Sequence, residues 1–92
     1  MKKIYKYPLA TTDTQTLGLP EGAKILSVIS QSHRPVVYAL VDDTEKVSEN
    51  IVFTIVGTGN PAEHICKESM VFLGTVVTHT GLFVWHVFYE RL

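Results

Sequence analysis

The stretch that decides the fold is Met70-Val-Phe-Leu-Gly-Thr-Val-Val-Thr-His79, then Thr80-Gly81, then Leu82-Phe-Val-Trp-His-Val-Phe-Tyr-Glu-Arg91. Two runs of β-branched and aromatic residues flank a threonine–glycine pair, and glycine supplies the positive φ of a tight hairpin turn. With Thr80 and Gly81 as the two loop residues, Thr75 faces His86, Val76 faces Trp85 and Val77 faces Val84. Directly opposed residues share a face of the sheet. Leu73, Val77, Val84 and Phe88 are expected on one face, and Phe72, Val76, Phe83, Trp85, Val87 and Tyr89 on the other. An antiparallel hairpin with one wet face alternates apolar and polar residues, whereas this one is apolar on both. It needs cover from a second sheet, a short helix or another subunit.

Outward from the hairpin, other short strand-like runs are separated by turn chemistry. Lys3 to Tyr7, closed by Pro8, reads as an edge strand, because proline removes a ladder donor. Lys24 to Gln31 and Pro35 to Asp42, joined by Ser32-His33-Arg34, read as a second hairpin. The hydrophilic run Asp42 to Asn50 reads as a surface loop, and the strand after it ends in Gly57-Thr58-Gly59-Asn60-Pro61. Residues 10–22 are polar, with Asp13 able to cap a helical turn and Pro20-Glu21-Gly22 suited to a turn. Residues 61–69 read as one short helix or irregular crossover, with Asn60 at its cap and Pro61 in its first turn. The expectation is a single all-β domain over residues 1–92, mostly antiparallel, of about six strands, forming a compact sandwich or a partly open barrel.

Composition narrows the function classes. The chain has 46% hydrophobic residues and a formal charge of −1, which fits a folded domain and offers no basic excess for duplex nucleic acid. Charged residues make up only 18%, below the usual quarter, which together with the doubly apolar hairpin favours a homo-oligomer. Cys66 is the single cysteine, so no disulfide framework or CxxC site exists and a reducing compartment is expected. The amino end has lysines without an apolar segment after them, and no run is long enough to cross a bilayer as a helix. The expectation is a cytoplasmic protein with no membrane partner.

The residues that could hold a ligand are few. Gly57, Thr58, Gly59 and Asn60 follow a strand, and their backbone N–H groups could form an anion-holding concavity or simply a tight turn. Arg34, near a hairpin tip, could fork onto a phosphate or carboxylate. Trp85 offers a stacking surface; His86, within an apolar strand, needs a partner, which the register supplies as the Thr75 hydroxyl. The four histidines His33, His64, His79 and His86 lack metal-ligand spacing, and no nucleophile–base set can be assembled. No catalytic residue, metal or cofactor is expected.

Taken whole, Ile4 to Leu9, Leu19-Pro20-Glu21-Gly22-Ala23-Lys24-Ile25-Leu26-Ser27-Val28, Tyr38 to Asp42, Gly57-Thr58-Gly59 and Trp85-His86-Val87-Phe88 resemble a family of short phage and prophage proteins. The resemblance spans nearly the whole chain and implies a virus-encoded accessory protein of the bacterial cytoplasm. It brings no catalytic residues. The function expected is non-catalytic binding, with sequestration or inhibition of a host component in counter-defence. That component is either a small nucleotide-like anion or a host protein; the alternative is a purely protein-binding or structural oligomeric module.

Overall fold

A computed structural model describes all residues, Met1–Leu92. Seven strands form, in chain order: β1 Lys2–Pro8, β2 Thr14–Pro20, β3 Lys24–Gln31, β4 Arg34–Asp42, β5 Ser48–Gly57, β6 Val71–Thr78 and β7 Phe83–Arg91. All pairings are antiparallel, in a three-stranded sheet ordered β1-β4-β3 and a four-stranded sheet ordered β2-β5-β7-β6. The strand edges stay open, so the architecture is a two-sheet sandwich. The all-β expectation holds.

Alternation along the two central strands builds the core. Val37, Ala39 and Val41 of β4 and Ile51, Phe53 and Ile55 of β5 are buried between the sheets, joined by Leu9, Leu19, Val76 and Val87. β3 packs on β6, closing one side of the sandwich. At Gly74 the approach is close enough that a Cβ would lie 3.0 Å from Val28 Cγ1.

The final hairpin has the expected register, with Thr75 opposite His86, Val76 opposite Trp85 and Val77 opposite Val84. Thr80 (φ 55°) and Gly81 (φ 91°) are the central residues of its turn, closed by Leu82 N–H donating to His79 O at 3.1 Å. Further along, a bulge between Phe72 and Gly74 shifts the pairing, so Phe72 faces Phe88. The bulge corrects the expected faces. Phe72 turns outward and stacks obliquely on Phe88, with centroids 5.2 Å apart, while Leu73 packs against the core.

Three other expectations change. The strands number seven, because Thr14–Pro20 is an edge strand paired with β5. Its Leu17 and Leu19 face the core, and Gly18 and Pro20 obscured that period-two signal. The expected helix over 61–69 is only a 3-10 turn at Glu63–Ile65, preceded by Ala62 with no side-chain cap, so Asn60 is not its cap. The hydrophilic loop shortens to residues 43–47, since Ser48, Glu49 and Asn50 begin β5.

The segment from Gly57 to Val71 joins β5 to β6 across β7. It is fastened to the outer face of β7 at both ends. Thr58 Oγ1 lies 2.8 Å from His86 Nε2, and Ser69 Oγ donates to Glu90 Oε2 at 2.7 Å. Thr54 and Val56, which point to that same face, are buried beneath it. The crossover therefore covers the outer face of β5 and is fastened to β7, while Phe72 and Val77 of β6 remain exposed on that side.

Candidate functional site

Gly57-Thr58-Gly59-Asn60 forms one tight turn. Asn60 N–H donates to Gly57 O at 3.1 Å, and Gly59 has φ 89°, the left-handed conformation a type II turn requires at its third residue. Thr58 N–H donates to Val84 O at 3.2 Å. With the Thr58 and Asn60 N–H groups spent inside the protein, the turn leaves the Gly59 N–H free, too little for a backbone cradle around an anion. Its role is steric: a Cβ at Gly57 would meet Asn60 Nδ2 at 2.8 Å and Trp85 Cζ3 at 3.2 Å. Glycine lets the indole and the Asn60 amide close over the strand end.

Beside that turn lies an open cleft of about 360 Å³, lined by Gly57, Thr58, Asn60, Leu82, Phe83, Val84 and Trp85. Its walls are apolar and aromatic, and its polar side chain is the Asn60 amide, since the Thr58 hydroxyl is engaged by His86 on the outer face; no charged side chain lines it. Phe83 stacks on Trp85, with centroids 5.8 Å apart and planes 28° off parallel. Trp85 Nε1–H donates to Thr78 Oγ1 at 3.0 Å, and His79 Nδ1 lies 3.1 Å from the same oxygen. The indole is thus oriented by a hydroxyl that is itself buried.

The aromatic contacts continue to the other sheet. Phe83 meets His79 edge-on at 5.3 Å, and His79 stacks on His33 at 4.8 Å. His33 belongs to the β3–β4 turn, so the tips of both hairpins meet at the end of the sandwich where the cleft opens. Ser32 and His33 have φ of 54° and 62°, and the paired residues Gln31 and Arg34 enclose them as a two-residue loop. Non-glycine residues adopt this left-handed conformation at a cost of roughly 1–2 kcal/mol each, which the ring contact helps to offset.

Of the expected ligand residues, Gly57, Thr58, Asn60 and Trp85 come together in the cleft, while Gly59 shapes the turn without lining it. His86 follows Trp85 in the strand and points to the opposite face. It lies between two hydroxyls, Thr58 Oγ1 at 2.8 Å from Nε2 and Thr75 Oγ1 at 2.9 Å from Nδ1. The expected Thr75 partner is present. Arg34 lies outside the cleft, on the outer face of the β1-β4-β3 sheet. Reasoning from sequence missed Leu82, Phe83 and Val84 as lining residues, although their place beside the hairpin turn was the available signal. It also missed His33–His79, a contact between sheets that no local pattern encodes.

No cluster of three or more His, Cys, Asp or Glu side chains occurs. Cys66 is exposed, with its thiol 3.7 Å from Ala62 O. No helix is long and apolar enough to cross a membrane.

Fold and site define the class: a small antiparallel β-sandwich with an uncharged aromatic cleft at the end where its hairpin tips meet. The chain belongs to the family described as Domain of unknown function (DUF7352), whose profile matches residues 1–92. No curated protein and no solved structure matches it.

Proposed function

We propose that this chain is a non-catalytic binding protein whose Trp85 cleft receives a planar, unsaturated group of a host component. The observation that carries the reading is the Phe83–Trp85 stack, oriented by Thr78 and edged by the Asn60 amide. Concave apolar sites with a few placed polar groups are where small ligands bind. A nucleobase-like ring suits the cleft, since it stacks on an indole and carries edges for an amide to read. The lack of charge in the lining puts the recognised part of the ligand at the ring. The resemblance to phage proteins makes a virus-encoded accessory role in the bacterial cytoplasm, sequestering a host signal in counter-defence, the setting for such binding.

Trp85 is the only tryptophan, so its fluorescence reports the cleft alone. Free nucleosides and nucleotides titrated into the protein should quench or shift that emission saturably, with Asn60→Ala weakening the effect. A panel that leaves the emission unchanged would exclude the small-ligand reading.

A second reading, docking of a partner protein, rests on exposed apolar side chains on β6 together with Leu82 at the rim of the cleft. Phe72 is 56% exposed, Val77 49% and Leu82 73%. They also support the homo-oligomer proposal, together with the low charged fraction. Native mass measurement of wild type and Phe72→Ser should show an assembly that the substitution dissociates; a monomer at every concentration would remove self-association.

A further inference from the structure

We propose that the outer face of the β1-β4-β3 sheet carries an anion site of its own, built from Lys6, Gln31, Ser32 and Arg34, for a phosphate-class oxyanion. These residues, with Pro8 and Val36, line a shallow cavity of about 310 Å³. Register places them together. Lys6 pairs with Tyr38, Pro8 with Val36, Ile29 with Val36 and Gln31 with Arg34, all on the face turned away from the core. Val36 points outward yet is only 3% exposed, so the surrounding side chains stand above it as walls.

The lining donates and hardly accepts. Lys6 and Arg34 form no ion pair, a state they share with Lys2, Lys24 and Lys46, so both charges are free to meet an anion. No carboxylate lines the cavity. Tyr38 O–H donates to Gln31 Oε1 at 3.1 Å, which occupies the amide oxygen and leaves its NH₂ group to donate outward. The Ser32 and His33 backbone N–H groups make no hydrogen bond within the chain, because the two-residue turn leaves them unpaired. An ammonium, a guanidinium fork, an amide and a hydroxyl supply more donors than two carboxylate oxygens can use, whereas a phosphoryl group has three oxygens to offer.

The site does not depend on the Trp85 cleft, which lies on the other side of the joined hairpin tips. The two are read separately. Amide resonances of Gln31 to Arg34 report this site, and tryptophan emission reports the cleft. Inorganic pyrophosphate titrated at constant ionic strength should move the Gln31, Ser32 and Arg34 amides saturably. Arg34→Gln and Lys6→Met should each weaken binding about tenfold or more, as expected for loss of a charge-assisted partner. Both side chains are exposed and unpaired, and unchanged resonances in β5 and β7 verify that each variant folds. Adenosine 5′-monophosphate and a phosphoserine peptide, run alongside, distinguish a nucleotide source from a protein-borne one. Shifts that never saturate, that sodium chloride reproduces, or that persist in the Arg34→Gln/Lys6→Met double variant would overturn the proposal.

Discussion

Thr78 holds the indole that walls the cleft. Its hydroxyl accepts from Trp85 Nε1 and contacts His79 Nδ1, and the residue is 2% exposed. Thr78→Val keeps the shape and removes the acceptor, leaving a half-buried indole N–H without its protein partner. The expected loss is about 1–3 kcal/mol, the range for an unsatisfied donor, read as a lower denaturation midpoint with a shifted tryptophan emission. Gly57→Ala acts on the same ring from the other side. The new Cβ sits 3.2 Å from Trp85 Cζ3, so the indole is pushed off Gly57 and the cleft changes shape. A destabilisation of about 1–3 kcal/mol is expected, as for other overpacked sites; unchanged emission and stability in Gly57→Ala would show that the ring is not seated on the glycine. Asn60 presents a greater overlap at 2.8 Å, but a side-chain amide can swing away where a ring packed between neighbours cannot.

Among the elements, the strands whose signals are internal were readable and those shaped by contacts were not. The β6–β7 register followed from Thr80-Gly81, because a two-residue loop fixes every pair near it. The bulge at Leu73 could not be read, since a run apolar at every position gives no alternation to break. In β3 the bulge between Ile25 and Ser27 turns Val28 inward and Ile29 outward; strict alternation puts Ser27 and Ser30 on opposite faces, so neither face was marked as the wet one. β2 was hidden for the opposite reason, its two core leucines lying among glycine, proline and threonine. For the site, Gly57 to Asn60 were legible as a turn that follows a strand and Trp85 as a stacking surface, but their pairing across the β5–β7 ladder was not. Arg34 was grouped with them because sequence says nothing about which sheet face a hairpin tip serves. The two bulged strands pack on each other, which yields a test. Gly74→Val alone forces a clash with Val28 and should cost about 1–3 kcal/mol. Combined with Val28→Ala it should cost less than the two changes added together, and additive losses in that cycle would show that the strands do not press on each other there.

Across the whole molecule, charge acts mainly through surface ion pairs. The ion pairs gather at the sheet margins. Lys3 meets Asp43 at 2.7 Å where β1 begins and β4 ends, and Lys67 reaches Glu90 at 3.5 Å under the crossover. The carboxylates at these places are held below their ordinary range. The Thr44 hydroxyl and its backbone N–H bring Asp42 to about 2, Lys3 lowers Asp43, and the Ser69 hydroxyl with Lys67 lowers Glu90. A carboxylate whose folded pKa lies below its unfolded value stabilises the fold above the unfolded pKa, and that contribution fades as pH falls through the folded one. Unfolded Asp and Glu titrate near about 4, so the denaturation midpoint should be flat from about pH 5 to 7 and decline from about pH 4 towards pH 2. These groups lie at the surface, where solvent screens them, so the decline should be gentle rather than a collapse. Location makes the prediction specific. Asp43 tethers the edge strand β1 and Glu90 tethers the crossover, so amide protection should fall at β1 and at residues 58–70 before it falls in β5 and β7. Asp43→Asn should reproduce the β1 change at pH 6 and leave the crossover protected, while Glu90→Gln should do the reverse. Uniform loss of protection across all strands in either variant would mean that the margins and the core open as one unit.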